Sequence, residues 1–452
     1  MSNTIAAIST APGKGAVGIV RLSGEHTLPL VTRLFTAKSG ATAETWRPGQ
    51  LILGTLHTQD GQTLDHALCV LRPGPFSYTG EDMAEFHCHG SPTLLLLLLE
   101  TLVSCGARLA RPGEFTKRSF LNGRLDLTEA EAVGDLIDAE SESGVKNAAA
   151  QLGGALSRRI AAIYDPLLTV AAHFHTVLDY PDEDIDAFTA ERLQTALDEA
   201  LSQCTALLKS YETGRFFTGG IPCAIVGRPN SGKSSLLNAL LGYDRAIVTH
   251  IAGTTRDTVE ERISLGGVSL RLIDTAGLRN SGNLVEQLGV ERSRKAMESA
   301  ALILWVVDGN EPLTAEDEAV AAAMPPSVPV IPLVNKADLG VQAPAAEAFS
   351  QSILISAKKK TGLGELEQRI AALFPPEVAA LGSVLTNARQ FDAASRGLEY
   401  LTQAADSLRL GIPPDAVIAD LELALEALGE LNGTSLREDM TARIFEKFCV
   451  GK

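Results

Sequence analysis

The stretch Ile221-Pro-Cys-Ala-Ile-Val-Gly-Arg-Pro-Asn-Ser-Gly-Lys-Ser-Ser-Leu-Leu-Asn-Ala-Leu-Leu241 decides how the chain is read. An apolar run of strand character leads into Gly227–Ser234, which fits the pattern GxxxxGK[ST]. An apolar run of helical character follows directly. In that setting the glycines let backbone N–H groups wrap a phosphate at the start of a helix. Lys233 is placed to reach the outer phosphates, and the Ser234 hydroxyl to ligate Mg²⁺. A glycine loop arising by chance would lack the strand before it and the helix after it.

Working outward, three further segments follow in the order a guanine-nucleotide domain requires. Asp274-Thr-Ala-Gly277 closes a strand; its carboxylate suits Mg²⁺ through water, and the Gly277 amide suits the terminal phosphate. Asn335-Lys-Ala-Asp338 ends a buried strand. Its carboxylate accepts two hydrogen bonds from the guanine amidine edge, which adenine lacks. Ser356-Ala-Lys358 ends the next strand and offers a backbone donor to the guanine oxygen. Each segment alone is weak, but together they specify GTP over ATP. Gly253-Thr-Thr-Arg-Asp257 adds Thr255 as a switch hydroxyl for Mg²⁺; its bland alternative is a polar hairpin loop.

One position departs from the Ras-like pattern. The glutamine that orients the attacking water there is replaced by Leu278, which neither donates nor accepts. Catalysis must then recruit another group. Glu286, twelve residues beyond Asp274 in a glycine-flanked segment, is the candidate, against an ordinary solvated glutamate at a helix start. No arginine finger stands out. Asn230 carries an amide oxygen suited to a cation beside the phosphates.

On either side of this unit the texture differs. Residues 1–119 alternate short strand-like runs (Ala16–Leu22, Leu51–His57, Ala67–Leu71, Met83–Cys88) with one leucine-rich helix, Pro92–Cys105, expected in the core. That is an α+β domain. Residues 120–214 are rich in helix formers, with a polar break at Tyr180–Ile185, and Leu193, Leu197, Leu201, Cys204, Leu208 and Tyr211 recur at helical spacing. From 215 to 379 apolar runs alternate with helices, implying a parallel sheet. Residues 380–452 return to helix. The expected organisation is multidomain: an α+β N-terminal domain, an all-α helical domain, and an α/β P-loop GTPase domain inserted into the helices.

The chain has 452 residues, of which 45% are hydrophobic and 21% charged, and a net charge of −16. That composition supports several buried cores and excludes a disordered or collagenous chain. Six cysteines stand far apart with no CxxC pair, against both a disulfide framework and a zinc ribbon. The start lacks a basic segment, and the run Leu94–Leu99 is too short to cross a membrane, so a cytoplasmic protein is expected. Residues 121–214 hold 6 Lys/Arg against 17 Asp/Glu, whereas residues 1–120 are nearly neutral. An acidic chain does not coat nucleic acid, so a polyanionic partner must be held locally. His87 and His89 point the same way on a strand, but two ligands do not make a metal site.

The motifs APGKGAVGIVRLSG, YTGEDMAEFHCHG, RPGEFTKRSFLNGRLDL, GRPNSGKSSLLNAL, GTTRD, DTAGLR with VEQLGVER, and the terminal Cys449-Val-Gly-Lys452 resemble those of the MnmE (TrmE) family of tRNA-modifying GTPases, over the whole length. The resemblance implies an N-terminal domain that binds a 5-formyltetrahydrofolate-type folate through Arg21, Glu85, Arg124 and Lys452. Where Arg124 stands the family often has lysine, which keeps the charge but not the geometry. Cys449 would lie near that folate, with a nucleophilic role left open; the family tail is usually CIGK.

The resemblance further implies GTP contacts from Asn230, Ser231, Gly232, Lys233, Ser234 and Ser235. Others would come from Thr249, His250, Ile251, Ala252, Gly253, Thr254 and Thr255, from Asp274, Thr275, Ala276 and Gly277, from Asn335, Lys336, Ala337 and Asp338, and from Ser356, Ala357 and Lys358. Mg²⁺ would be held by Ser234 and Thr255, and K⁺ by Asn230, Thr249, Ile251 and Thr254, with Glu286 as the catalytic carboxylate. It implies a homodimer joined through the N-terminal domains, and a flavoprotein partner, MnmG, in a heterotetramer acting on carbon 5 of the tRNA wobble uridine. Two rivals are a ribosome-assembly or signalling switch without modification chemistry, and a folate-dependent aminomethyltransferase whose GTPase domain only regulates.

Overall fold

A computed structural model describes residues 4–179, 189–242, 261–273, 294–341, 351–375, 382–435 and 451. The chain forms two compact units, Met1–Gly134 with Leu425–Lys452, and Asp135–Ala424.

The first unit is built on a seven-stranded sheet: β1 (Ile5–Ile8), β2 (Gly15–Ser23), β3 (Phe35–Ala37), β4 (Leu51–His57), β5 (Thr63–Arg72), β6 (Met83–Gly90) and β7 (Arg108–Leu109), in the order β3-β4-β5-β6-β2-β1-β7. All neighbours are antiparallel except β1 and β7. Period-two alternation sorts the side chains. Ala84, Phe86 and Cys88 of β6 enter the core with Val20, Leu22 and Cys69, whereas Glu85, His87 and His89 take the other face. Helices α1 (Thr27–Leu34) and α2 (Pro92–Ser104) cover the apolar face.

The leucine run of α2 is only partly in the core. Leu95, Leu98 and Leu102 are buried, while Leu96 and Leu97 are 53% and 46% exposed. A helix on a sheet buries one stripe, so six successive leucines cannot all face inward. Helices α3 (Glu114–Leu121) and α4 (Leu127–Asp138) follow.

The second unit contains helices α5 (Glu142–Leu152), α6 (Ala155–Asp179) and α7 (Ala190–Gly219). Leu193, Leu197, Ala200, Cys204 and Leu207 form the buried stripe of α7. A six-stranded sheet follows: β8 (Ile221–Val226), β9 (Glu261–Leu265), β10 (Val268–Leu272), β11 (Leu302–Asp308), β12 (Val330–Asn335) and β13 (Ile353–Leu354), in the order β13-β12-β11-β8-β10-β9. It is parallel apart from the edge strand β9, which the apolar pattern alone does not reveal. Helices α8 (Lys233–Leu241), α9 (Ala315–Ala322) and α10 (Leu363–Leu373) belong to this part, and apolar clusters lie on both faces of the sheet. All seven residues of β11 are buried, which is why parallel strands read as unbroken apolar runs. The loops after β8, β11, β12 and β13 gather at one edge, where such sheets bind ligands.

The chain that leaves α7 at Gly219 comes back beside the same helix. Leu385 N donates to Ser210 Oγ at 3.2 Å, and Gln151 Nε2 of α5 donates to Val384 O at 2.8 Å. From there it enters α11 (Ala388–Arg409), where Phe391 stacks on Tyr211 with ring centroids 4.6 Å apart, and then α12 (Pro414–Asn432). Among the described residues, no helix is long and apolar enough to cross a membrane.

Close approach of backbones makes Gly214 of α7 irreplaceable: a Cβ there would stand 2.0 Å from Leu385 O. Gly214→Ala is expected to destabilise the fold by about 1–3 kcal/mol through overpacking. A thermal melt that matched the wild type would contradict this packing.

Candidate functional site

The phosphate loop is packed so closely against its neighbours that two of its glycines have no room for a side chain. A Cβ on Gly227 would lie 2.1 Å from Val306 O, and one on Gly232 would lie 2.0 Å from Asn335 Nδ2, at a φ of +98°. Asn230 also holds positive φ, at +62°. Helix α8 starts at Lys233, so its unpaired N–H groups face the loop. Lys233 Nζ donates to Gly227 O and Arg228 O, both at 2.7 Å. Burial lowers the Lys233 pKa, and the nearby Asp317 charge opposes that. Ser231 is fully buried, and its hydroxyl has no hydrogen-bond partner among the described residues.

Asn335, 2% exposed at the end of β12, ties the loops together. Its Nδ2 donates to Ser231 O at 3.0 Å, its Oδ1 accepts from Ala357 N at 3.1 Å, and its carbonyl accepts from Gly309 N at 2.8 Å. The Ala357 amide is therefore engaged with Asn335. Lys336, at φ +65°, turns away to bond Asp308 Oδ2 at 2.5 Å. Ala337 N donates to Ile355 O at 3.1 Å, and Ser356 Oγ donates to Asp338 Oδ1 at 2.6 Å. That hydrogen bond, with help from Lys359 and Lys358, holds the Asp338 carboxyl below its ordinary pKa. An ionised, acceptor-only group is what a pair of N–H donors on a base edge requires.

The structure thus brings Asn230, Ser231, Gly232, Lys233, Ser234, Ser235, Asn335, Lys336, Ala337, Asp338, Ser356, Ala357 and Lys358 to one edge of the sheet. The residues proposed at 249–255 and 274–277, with Leu278, Glu286, Cys449 and Lys452, lie outside the described residues.

The first unit carries a charged cluster on the sheet face away from α1 and α2, next to the apolar cluster of Ile5, Ala7, Met83, Ala110 and Phe115. Arg21 of β2 pairs with Glu85 of β6 across the ladder at 2.8 Å. Its guanidinium lies 5.9 Å from the Tyr78 ring centroid and 5.7 Å from that of Phe115, and bonds Gly451 O at 3.4 Å. Ser9 Oγ also donates to Gly451 O, at 3.0 Å. Burial would raise the Glu85 pKa, but Arg21 and His87 outweigh it and keep the carboxyl low. Arg124 follows α3, its stem beside Gly80: a Cβ there would come within 3.4 Å of Arg124 Cγ. His87 faces Glu85 at 3.2 Å and His89 faces Asp65 at 2.7 Å, each histidine with its own carboxylate.

Tyr78, Phe115 and Ser9 have no role assignable from sequence, although Tyr78 and Phe115 sit inside the quoted motifs. Tyr78 and Phe115 reach Arg21 through packing of α3 on the 77–81 loop, with Ser119 Oγ to Tyr78 O at 2.7 Å and Tyr78 OH to Thr116 Oγ1 at 2.9 Å, whereas Ser9 is set by its backbone bond to Ile19 O at 2.8 Å. Among the described residues the cysteines are free thiols, and burial pushes Cys88 and Cys223 up to about 12, which makes them poor nucleophiles.

In the same unit, the pKa of Glu114 is held at about 2. Burial alone would raise it; hydrogen bonds from Arg108 (2.8 Å) and from Arg111 N (2.9 Å), with the Arg118 charge, overcome that. Because the folded value lies below the ordinary 4.5, the stability this carboxylate contributes is full above pH 4.5 and fades as pH falls toward 2. In urea unfolding, the stability gap between wild type and Glu114→Gln should therefore narrow from pH 6 to pH 3. A constant gap would show that the ion pairs contribute nothing. For the nucleotide site, Asp338→Asn exchanges one acceptor for a donor. GTP affinity should drop by more than about tenfold, and a xanthine nucleotide should regain it. Equal GTP binding by the two proteins, measured by titration, would remove Asp338 from base recognition.

Known proteins are similar to this chain over its whole length. The family profile described as the MnmE helical domain matches residues 127–449, and that described as the GTP-binding protein TrmE N-terminus matches residues 4–124. A protein named tRNA modification GTPase MnmE from Heliobacterium modesticaldum is 42% identical over 467 residues, covering 100% of both chains. Its namesake from Aquifex aeolicus is 41% identical over 454 residues, again covering 100% of both. Among solved structures, Aquifex aeolicus Era bound to GDP·AlF4⁻ shows 27% identity over 39% of this chain and 65% of its own, with a TM-score of 0.23. On the strength of its full-length relatives and of the profiles that match its two parts, this chain belongs to the MnmE (TrmE) family.

Proposed function

We propose that this chain is a GTP hydrolase that depends on potassium and is activated by dimerisation. With the flavoprotein MnmG it adds a carboxymethylaminomethyl or aminomethyl group to carbon 5 of the tRNA wobble uridine, in the cytoplasm. The observation that carries the reading is the presence, in one chain, of an ionised base-reading carboxylate at Asp338 and a charged cluster where Arg21 meets both Glu85 and Gly451.

The residues present fit the groups this reading requires. The loop at Gly227 and Gly232 has no room for side chains against Val306 and Asn335, and the Lys233 ammonium is held by its carbonyls, a cation available to phosphate. The Ser234 hydroxyl, at the first turn of α8, is the hard oxygen donor Mg²⁺ prefers, with Thr255 as its companion. Asn230, held in the left-handed region, offers an amide oxygen for K⁺, alongside Thr249, Ile251 and Thr254. Bound cations supply positive charge against the charge that develops on the phosphates, the part an arginine finger plays elsewhere.

With Leu278 unable to orient water, Glu286 takes that task. In the first unit, Glu85 is an ionised acceptor for N–H donors of a folate ring. Arg21, Arg124 and Lys452 present cations to its anionic parts, with Cys449 close by. The homodimer through the N-terminal domains and the heterotetramer with MnmG belong to the same reading, as does the division of the chain at 119, 214 and 379.

Glu286→Ala should leave GTP binding intact and lower turnover by at least about 100-fold, and replacing K⁺ by Na⁺ should slow hydrolysis strongly. Unchanged turnover in either arm would remove that assignment. Mass analysis of wobble uridines from cells lacking the protein tests the remainder: an unaltered modification pattern would leave only a GTPase switch.

A further inference from the structure

Arg228, the first residue after Gly227, is not one of the residues the motif uses. Its side chain is nevertheless only 14% exposed and reaches Glu311 and Asp317, beyond the end of β11. Its terminal guanidinium nitrogen bonds Glu311, and its Nε lies 3.5 Å from Asp317 Oδ2, an ion pair in which Nε makes no hydrogen bond among the described residues. Asp317, 3% exposed, is itself fixed by Thr314, whose N and Oγ1 donate to it at 3.0 and 2.9 Å in the capping box of α9. The carbonyl of Arg228 accepts from Lys233 Nζ at 2.7 Å and from Ser231 N at 3.4 Å. Whatever fixes residue 228 therefore fixes the seat of the phosphate-binding lysine. The same segment carries Asp308, which holds Lys336 of the base-reading loop.

We infer that Arg228 is a positioning residue for nucleotide binding: its guanidinium straps the phosphate loop to Glu311 and Asp317, on the segment that also anchors the base-reading loop through Asp308 and Lys336. The inference rests on the reading of this site as a GTP site. A rigid, charge-assisted strap pre-organises the loop, so that binding phosphate need not order it. Lysine in its place would meet one carboxylate and not two, because it lacks the fork.

The test follows release of N-methylanthraniloyl-GDP by stopped flow, together with steady-state GTP hydrolysis, on the full chain. Arg228→Ala should speed release by about tenfold and raise KM to a similar extent with kcat changed less than threefold, the pattern of lost binding common to ground and transition states. Arg228→Lys should fall between Arg228→Ala and the wild type. Glu311→Gln, a change at a half-exposed surface position, should speed release about threefold with an unaltered melting temperature for the nucleotide-free protein. Combined with Arg228→Ala it should add nothing further. Release at the wild-type rate from Arg228→Ala overturns the inference, as does full additivity of the two substitutions. If the wild type itself fails to bind the fluorescent GDP, the GTP-site reading falls and not the strap.

Discussion

Asn335 makes three backbone contacts from a position that water does not reach, and the nucleotide edge of the second unit depends on them. Its amide holds the phosphate loop at Ser231 and the base-side loop at Ala357, while its carbonyl receives Gly309. Each of these loops follows a different strand. A buried amide bonded through both its nitrogen and its oxygen fixes their spacing, because its geometry is directional and leaving it unmet is costly. The space it takes is made by Gly232, where even a methyl group would collide with it.

Charge arrangement does the corresponding work in the first unit. Arg21 sits between two aromatic rings, across the ladder from Glu85, and reaches the carbonyl of Gly451. Arg118, buried at 7%, pairs with Glu81 and Glu114 beneath it. Buried cations persist only when paired, and here the carboxylates come from a strand, a loop and a helix that the pairing brings into register. This sheet face thus carries charged pairs beside a small apolar cluster under Phe115, whereas the opposite face forms the larger apolar core under α1 and α2.

Both units place irregular backbone on rigid support. The phosphate loop leaves a buried parallel strand and enters a helix, and the 77–81 loop is pinned to α3 by side-chain to backbone hydrogen bonds. The helical part of the second unit holds the departing and returning chain together at α7, which lets a sheet of six strands be carried between them without a long connector.

Local patterns in the sequence determined a great deal. The strand–glycine loop–helix around Lys233, the order of the base-reading segments and the runs of β2, β4, β5 and β6 are written in residue type and spacing, because backbone conformation near glycine and burial of apolar runs are local properties. Short strands such as β3 and β7 carry too few residues to show a period, and the edge strand β9 looks like its parallel neighbours until pairing fixes its direction. Only tertiary structure decided which leucines of α2 reach the core, that Tyr78 and Phe115 flank Arg21, that the C-terminal Gly451 lies against Ser9, and that Arg228 turns to Glu311 and Asp317. The cited side-chain contacts join residues from 57 to 442 positions apart, and no local rule of propensity or periodicity spans such a separation.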